Sequence, residues 1–376
     1  MRQRAIFAVS LNGVAKIQVE GMVKRFGAVL AVDGVSFEVK EGEILGLLGP
    51  SGCGKTTVLR SIAGLEEIDD GKIVLDGVTV SSPREKIFVP PEKRRLGFVF
   101  QNYALWPHMT VNQNVAYPLQ GLSKEERERR VAASLGLVGL PDVGGRYPSQ
   151  LSGGQQQRIA LARSVSYEPE VILLDEPLSG LDEKERERVR GELRLLLKRI
   201  GITTVFVTHD QEEAFVICDR VVLMNYGKIE QESTPEVLYS SPANLFVAQF
   251  IGRGNILKAE LKSLDEATHT AVLRIPEIEA DLTCDFDGEF PDKVSYVVVR
   301  RNEIGVSQAM PSLKENVLRG HVVAREYRGA VTDLRIRIGT AEIVATTHKS
   351  SEASETPEAD AVYVQVPPSA ITPIPG

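Results

Sequence analysis

Cysteine is scarce in this 376-residue chain, and the three present, Cys53, Cys218 and Cys284, are odd in number, far apart and without metal-ligand spacing. That distribution favours neither a disulfide framework nor a metal knot, and a reducing compartment is the simplest setting. Long apolar runs are also missing. Nothing approaches the roughly 18 to 20 consecutive apolar residues that a helix needs to cross a bilayer, so no membrane-spanning helix is expected. Positive charge is in deficit, with 44 Lys and Arg against 51 Asp and Glu for a formal net charge of -7. Broad affinity for nucleic acid needs a surplus of cations facing the phosphates, so no nucleic-acid partner is expected. Arg2 and Arg4 precede an apolar run over 5–11 in the outline of a secretory leader, but the run is short and Asn12 follows it, so a leader is not expected either.

Hydrophobic residues make up 43% and charged residues 25% of the chain, the balance of an ordinary globular protein. The length suffices for two domains of about 100 to 200 residues. From about 17 to 245, β-branched runs alternate with charged helical stretches, the pattern of an α/β domain. The runs 44–48 and 171–174 are continuously apolar, as strands buried on both faces are. The segment 123–138 opens at Ser123 with capping-box spacing, and 184–200 sets Val189, Leu193, Leu196 and Ile200 on one helical face, so both read as surface helices.

Beyond about 245, short β segments at 270–275, 295–300, 319–327, 332–338, 341–346 and 362–366 predict a separate all-β domain. In 332–338 strict alternation turns Leu334, Ile336 and Ile338 to a core and Asp333, Arg335 and Arg337 to water. These arginines read as a solvated strand face in preference to an anion-binding stripe. The acidic stretch 350–360 reads as a mobile loop and the Pro-rich end after Val366 as an extended tail. The expected divisions are an N-terminal extension over 1–16, an α/β domain over 17–245 and a β-rich domain over 246–376.

Gly49-Pro50-Ser51-Gly52-Cys53-Gly54-Lys55-Thr56 fits G-x-x-x-x-G-K-[ST], follows an expected strand and leads through Thr57 into an expected helix. Glycines let backbone N–H groups curl round phosphate oxygens, and a helix N-terminus adds positive partial charge. Lys55 would reach the β- and γ-phosphates of ATP, and the Thr56 hydroxyl would bind Mg²⁺. Asp175 ends the apolar run at Leu174, where a parallel strand delivers side chains to the ligand edge of a sheet, and is the natural second holder of Mg²⁺. Glu176 follows, placed to polarise a water aimed at the γ-phosphate.

Leu151-Ser152-Gly153-Gly154-Gln155-Gln156-Gln157-Arg158 opens a helical run, and its hydroxyl and backbone N–H groups can face an anion, although Ser152 also reads as an ordinary helix N-cap. This stretch resembles the signature of ATP-binding cassette ATPases. That resemblance extends over about 17–252 and implies an α/β phosphate-loop NTPase cassette with a helical subdomain over about 102–165, followed by an all-β, oligonucleotide-fold-like (TOBE-type) regulatory domain. In that family the phosphate loop of one subunit and the signature of another sandwich ATP, so a homodimer is implied in which Leu151, Ser152, Gly153, Gly154 and Gln155 act in trans. Phe26 resembles the aromatic stacked on adenine, with Ala31 beside it, and equally suits a core. Gln101 resembles the glutamine that touches Mg²⁺ and the attacking water. Ser179-Gly180-Leu181-Asp182 resembles the loop crossing the dimer interface, where the family usually has Asn in place of Gly180; Asp182 also suits a helix cap. His209 resembles the switch histidine at the γ-phosphate.

The segments 49–57, 104–111 and 208–214 look like those of importers for sugars, polyamines or ferric iron. The likeness implies an integral membrane permease as partner, a solute-binding protein outside the membrane, a peripheral location on its cytoplasmic face, and a solute expected to be a sugar first, with polyamine or ferric iron next. Leu105, Trp106, Pro107 and Met109 would offer the permease an exposed apolar patch, or else belong to a core. Replacement of Lys55 by Ala is expected to weaken phosphate binding in a nucleotide titration; unchanged ATP affinity and turnover would take the loop out of this role.

Overall fold

The computed structural model describes residues 15–286, 290, 291, 293–312, 315–358 and 360–375. Residues 1–14 of the expected extension lie outside these, and Ala15 and Lys16 already belong to the first strand. The chain divides between Pro235 and Glu236 into two compact units.

The first unit holds two sheets. β1 (Ala15–Phe26) and β2 (Val29–Lys40) form a long hairpin, and after β3 (Ile44–Leu48) and α1 (Lys55–Ala63) the chain returns to it with β4 (Asp70–Leu75), β5 (Val78–Ser82) and β6 (Ile87–Phe88) in the order β2-β1-β4-β5-β6. The second sheet is built on β3 by β7 (Leu96–Val99), β8 (Val171–Asp175), β9 (Thr203–Thr208), β10 (Arg220–Asn225) and β11 (Lys228–Ser233), in the order β11-β10-β3-β9-β8-β7. All its pairings are parallel except that of β11 with β10. Every residue of β3, β8 and β9 is buried, which is why these runs carry no apolar alternation. Leu45, Leu47, Leu173, Val205 and Val207 pack on Val58, Leu59 and Ile62 of α1 and on Val19 and Val35 of the antiparallel sheet. Each such side chain contributes about 1.5–3 kcal/mol on burial. Gly64, at φ 78°, ends α1, and the buried guanidinium of Arg94 donates to the carbonyls of Ser61 and Ile62 there.

Between β7 and β8 lie α2 (Val111–Ala116), α3 (Lys124–Leu137) and α4 (Gly153–Val165), which share a core of Val111, Val115, Leu119, Val131, Leu135 and Ile159. Ser123 Oγ accepts from the Glu126 N–H, half of the expected box, while the Glu126 carboxylate turns to Arg129 and Arg130. Between β8 and β9 runs α5 (Glu183–Ile200), capped by Asp182, acidic in its first turn, basic in its last and ended by Gly201 at φ 70°, a charge order that suits the helix dipole. It buries Val189, Leu193 and Leu197, with Leu196 and Ile200 only half-buried. α6 (Gln211–Ile217) follows β9.

The second unit begins earlier than the expected division at 245 and 246. Its two short helices, α7 (Pro235–Ser240) and α8 (Leu245–Phe250), explain the difference: Ala248 packs on Val298 and Ile374, and Arg300 donates to the carbonyls of Tyr239 and Ile251. The strands are β12 (Gly254–Lys258), β13 (Glu260–Asp265), β14 (Thr270–Ile275), β15 (Ala280–Asp285), β16 (Val294–Arg300), β17 (Gly305–Ser307), β18 (Val317–Tyr327), β19 (Val331–Ile338), β20 (Ala341–His348), β21 (Ala361–Gln365) and β22 (Ile371–Pro375). They form sheets ordered β12-β16-β22, β13-β14-β15 and β17-β21-β18-β19-β20.

Two expectations for this unit are corrected. Asp333 does not face water: it is 5% exposed, paired with Arg328 at 3.0 Å and bonded by the Thr346 hydroxyl at 2.6 Å. Arg335 and Arg337 are exposed as expected and pair with Glu326 and Glu342. The stretch expected to be a loop joins β20 to β21 and contains a 3₁₀ turn, Glu352–Glu355, with Ala353, Ser354 and Thr356 buried. The Pro-rich end is a strand: β22 pairs antiparallel with β16 and buries Ile371 and Ile374. It lies on a sheet edge, where proline's missing N–H is tolerated. Ile374→Ala should lower the unfolding free energy of this unit by about 2–5 kcal/mol in denaturant titration; an unchanged midpoint would return these residues to the status of a tail.

Candidate active site

The parallel strands of the first unit end on one edge, and the loops that leave them bring the candidate residues together. From β3 the chain turns through Gly49, Gly52 and Gly54, at φ 153°, 81° and 106°, before α1 starts at Lys55. A β-carbon on Gly49 would come 2.2 Å from the Met224 carbonyl oxygen, and one on Gly54 2.5 Å from that of Ala31. Only glycine combines these dihedrals with that closeness. Ala31 thus borders the loop through its backbone. Lys55 is buried, and its Nζ donates to the carbonyls of Gly49 at 2.8 Å and Pro50 at 2.9 Å. The Cys53 Sγ lies 3.7 Å from that ammonium; burial pushes its thiol up, against the pull of Lys55. Ser51 lies in the loop, and Thr57 follows Thr56 in the first turn of α1.

Thr56 Oγ1 donates to Asp175 Oδ1 at 3.0 Å. Asp175 ends β8, 3% exposed, and burial raises its pKa above the ordinary aspartate value, with the Thr56 hydrogen bond opposing. Among the described residues no group of three His, Cys, Asp or Glu side chains could hold a metal. A hydroxyl and a carboxylate in contact are instead two hard oxygen donors, which suits Mg²⁺ shared with phosphate oxygens and water.

Glu176 leaves the strand at φ 43°, its N–H bonded to the Val207 carbonyl at 3.0 Å. Residues other than glycine held in such a region cost about 1–3 kcal/mol each and persist where the surroundings over-determine them. Glu176 Oε2 accepts from Gln101 Nε2 at 3.3 Å and lies 3.2 Å from His209 Nδ1. Gln101, Glu176 and His209 follow β7, β8 and β9, three neighbouring strands, so one carboxylate faces the amide and the imidazole beside the Thr56 and Asp175 pair. A carboxylate so placed can hold a water and accept its proton.

Phe26 closes β1, 46% exposed and outside the buried core, with the Lys24 ammonium 5.0 Å from its ring centre. Ser152 caps α4: its Oγ accepts from the Gln155 N–H, and its N–H donates to Gln155 Oε1. Leu151 is buried beside it. Gly153 and Gly154 lie where β-carbons would meet Leu181 and Glu185 at 2.8 Å each, and the Gly154 N–H donates to Glu185 Oε1. Asp182 Oδ1 accepts from the Glu185 N–H at 2.8 Å. The signature is therefore seated on the start of α5. Among the described residues no hydrogen bond or ion pair joins it to 49–57.

The segment expected to be an exposed apolar patch is partly folded inward. Leu105 packs against the helical core, Trp106 packs on Tyr117 with centroids 4.1 Å apart and ring planes tilted by 35°, and Pro107 is exposed. Asn114, wholly buried, knits the segment by accepting from the Trp106 N–H and donating to the carbonyls of Trp106, Met109 and Thr110. Sequence reasoning missed Asn114, and it also missed Arg163, whose guanidinium donates to the carbonyls of Tyr103 and Ala104. A polar residue inside a helical run carries no signal that it is buried.

Comparison with known proteins assigns the chain to a family. The family described as ABC transporter matches residues 32–179. The spermidine/putrescine import ATP-binding protein PotA of Haemophilus influenzae is 43% identical over 83% of this chain and 82% of its own length. The sulfate/thiosulfate import ATP-binding protein CysA 2 of Chromobacterium violaceum is 45% identical over 87% of this chain and 86% of its own. Among solved structures, a bacterial ABC transporter cassette determined as a dimer superposes with a TM-score of 0.51 at 33% identity, over 58% of this chain and 98% of that one. Part of the cbiONQ ABC transporter complex of Clostridium perfringens does so with a TM-score of 0.54 at 29% identity, over 59% and 89%. The chain belongs to the ATP-binding subunits of ABC transporters. It is an ATPase, working on ATP with Mg²⁺. The expected order of solutes gives way here: these curated relatives import polyamines or sulfate and thiosulfate, and a sugar finds no support.

Because burial disfavours the ionised form of Asp175 in the folded chain, its charge opposes folding at pH values above its raised pKa and ceases to do so once both states are protonated. Asp175→Asn should therefore raise the nucleotide-free thermal midpoint at neutral pH, by an amount that shrinks as pH falls through that pKa, while Mg²⁺-dependent ATP turnover is lost. A stability gain that persisted undiminished in acid would contradict this account.

Proposed function

We propose that the chain is the ATP-hydrolysing motor of an importer for a small charged solute, a polyamine in the first instance. The observation that carries the hydrolytic part is the convergence of Gln101, Glu176 and His209 beside the Thr56 and Asp175 pair. Residues 49–57 cradle the phosphates, with Lys55 leaving its two loop carbonyls for phosphate oxygens, and Thr56 and Asp175 hold Mg²⁺, which neutralises charge on the phosphates. Glu176 takes the proton of the attacking water, while Gln101 and His209 orient that water and the γ-phosphate. Phe26 stacks on adenine.

The ATP site is completed by a second copy of the chain, whose Ser152 hydroxyl and the N–H groups that open α4 face the γ-phosphate, with Asp182 holding the start of α5 on which they rest. Closure on ATP and release after hydrolysis move permease helices docked on the first unit. A groove of about 1040 Å³ beside the helical core, lined by His108, Met109, Tyr117, Arg127, Val131 and Pro141 among others, is suited to such a helix. Among the described residues no helix is long and apolar enough to cross a membrane, in keeping with a subunit held at the cytoplasmic face by its permease, which would receive solute from an external binding protein. The polyamine reading draws on relatives that align over more than four-fifths of both chains. A sulfate-class oxyanion is the second reading, favoured by a relative of similar identity and coverage.

Glu176→Gln should lower kcat at least about 10²-fold while keeping ATP binding, and should yield an ATP-dependent dimer in size-exclusion chromatography. Captured with ATP and Mg²⁺ from solubilised native membranes, this variant should bring down an integral membrane permease, and cells lacking the chain should lose uptake of labelled spermidine or putrescine. Lost sulfate uptake with normal polyamine uptake would select the second reading. Recovery of ribosomes or nucleoprotein with no permease would overturn the transport role.

A further inference from the structure

The turn that follows Gln101 contains two successive residues of left-handed backbone, Tyr103 at φ 60° and Ala104 at φ 47°. Extended chain points successive carbonyls to opposite sides, whereas residues of one helical hand turn them the same way. Arg163, buried in α4, meets both: one terminal nitrogen donates to the Tyr103 carbonyl at 2.8 Å and the other to that of Ala104 at 2.6 Å. Its guanidinium carbon lies 4.9 Å from the Trp106 ring centre, and no carboxylate pairs with it among the described residues. The planar fork of arginine matches two parallel acceptors, and a lysine ammonium does not.

What this clamp joins is specific. On one side of the turn is Gln101, bonded to Glu176; on the other is Trp106, at the start of the segment that Asn114 knits together. Arg163 lies on the helix that opens with Ser152. Tyr103 is buried, and its hydroxyl, without a hydrogen-bond partner among the described residues, packs against Gly180, where a β-carbon would come within 3.2 Å. The loop of Gln101, the last turn of α4 and the loop of Gly180 thus meet at one turn of backbone.

We propose that Arg163 is a positioning residue for hydrolysis, clamping the strained turn at Tyr103 and Ala104 to the signature helix and thereby holding Gln101 on Glu176. The inference rests on the hydrolytic reading of Gln101 and Glu176. It implies that α4 and the glutamine loop move as one body, so that displacement of the docking segment reaches the water-holding carboxylate through this turn.

The test compares the purified full-length chain with Arg163→Lys, Ala104→Gly, the double variant and Glu176→Gln, measuring kcat, KM for Mg²⁺-ATP and thermal midpoint. Arg163→Lys keeps the charge and loses the fork, and should lower kcat about tenfold or more with KM changed less than about threefold, as expected for misplaced groups distant from the nucleotide. Ala104→Gly removes the left-handed penalty at an exposed position, so in the double variant kcat should recover at least about threefold over Arg163→Lys. A purely structural arginine would give no such rescue. The proposal is overturned if Arg163→Lys keeps its parent's kcat, or if its loss is unmoved by Ala104→Gly. Undiminished hydrolysis by Glu176→Gln would instead remove the reading on which it rests, whatever Arg163 does.

Discussion

The parallel pairing of β10, β3, β9, β8 and β7 is the constraint from which the candidate site follows. Neighbouring strands lie about 4.8 Å apart, and parallel order puts all their carboxyl ends on one edge. The phosphate loop, His209, the acidic pair and Gln101 leave consecutive members of this set, with Leu48 opposite Thr208, Asp175 opposite Val207 and Val99 opposite Leu174. A slip of one residue in a single pairing would displace a site group by about 3.3 Å, further than any of the hydrogen bonds among them tolerates. The burial of β3, β8 and β9 on both faces is what makes such a slip costly.

Rigid strands of this kind can hold strained loops. Glu176, Tyr103 and Ala104 all adopt left-handed backbone without being glycine, and each is tied to a part of the scaffold already fixed by packing: Glu176 to Val207 in β9, and the other two to Arg163 in α4. Strain sits next to the groups read as hydrolytic, while the restraints on it come from buried elements. The site is over-determined by its frame more than by contacts among its own members, of which the longest hydrogen bond, Gln101 to Glu176 at 3.3 Å, is also the one most open to adjustment.

Much of this was legible from residue order alone, for a physical reason. Phosphate loops depend on glycine, and Gly49 and Gly54 stand where dihedral and packing both exclude a side chain; such a requirement writes itself into the chain as a motif. The buried strands announced themselves as unbroken apolar runs, and the acidic pair by its position at the end of one. Illegible features arise from tertiary partners. The alternation of 332–338 assigned Asp333 to water because periodicity cannot foresee Arg328 and Thr346. The prolines of β22 read as a tail because their missing N–H groups argue against a strand, and only an edge position beside β16 reconciles them. Arg163 and Asn114 resemble surface residues in composition; their burial is decided by the loop they serve.

The contact of Tyr103 with Gly180 also bears on how this protein can change over generations. A β-carbon at 180 would stand 3.2 Å from the Tyr103 hydroxyl, so a side chain there asks the phenol to give by a few tenths of an ångström. Asparagine at 180 therefore asks for a small adjustment of the Tyr103 ring, whereas glycine leaves that ring where it is. The two positions are thus coupled through one hydroxyl: a change at either is felt at the other as a small displacement.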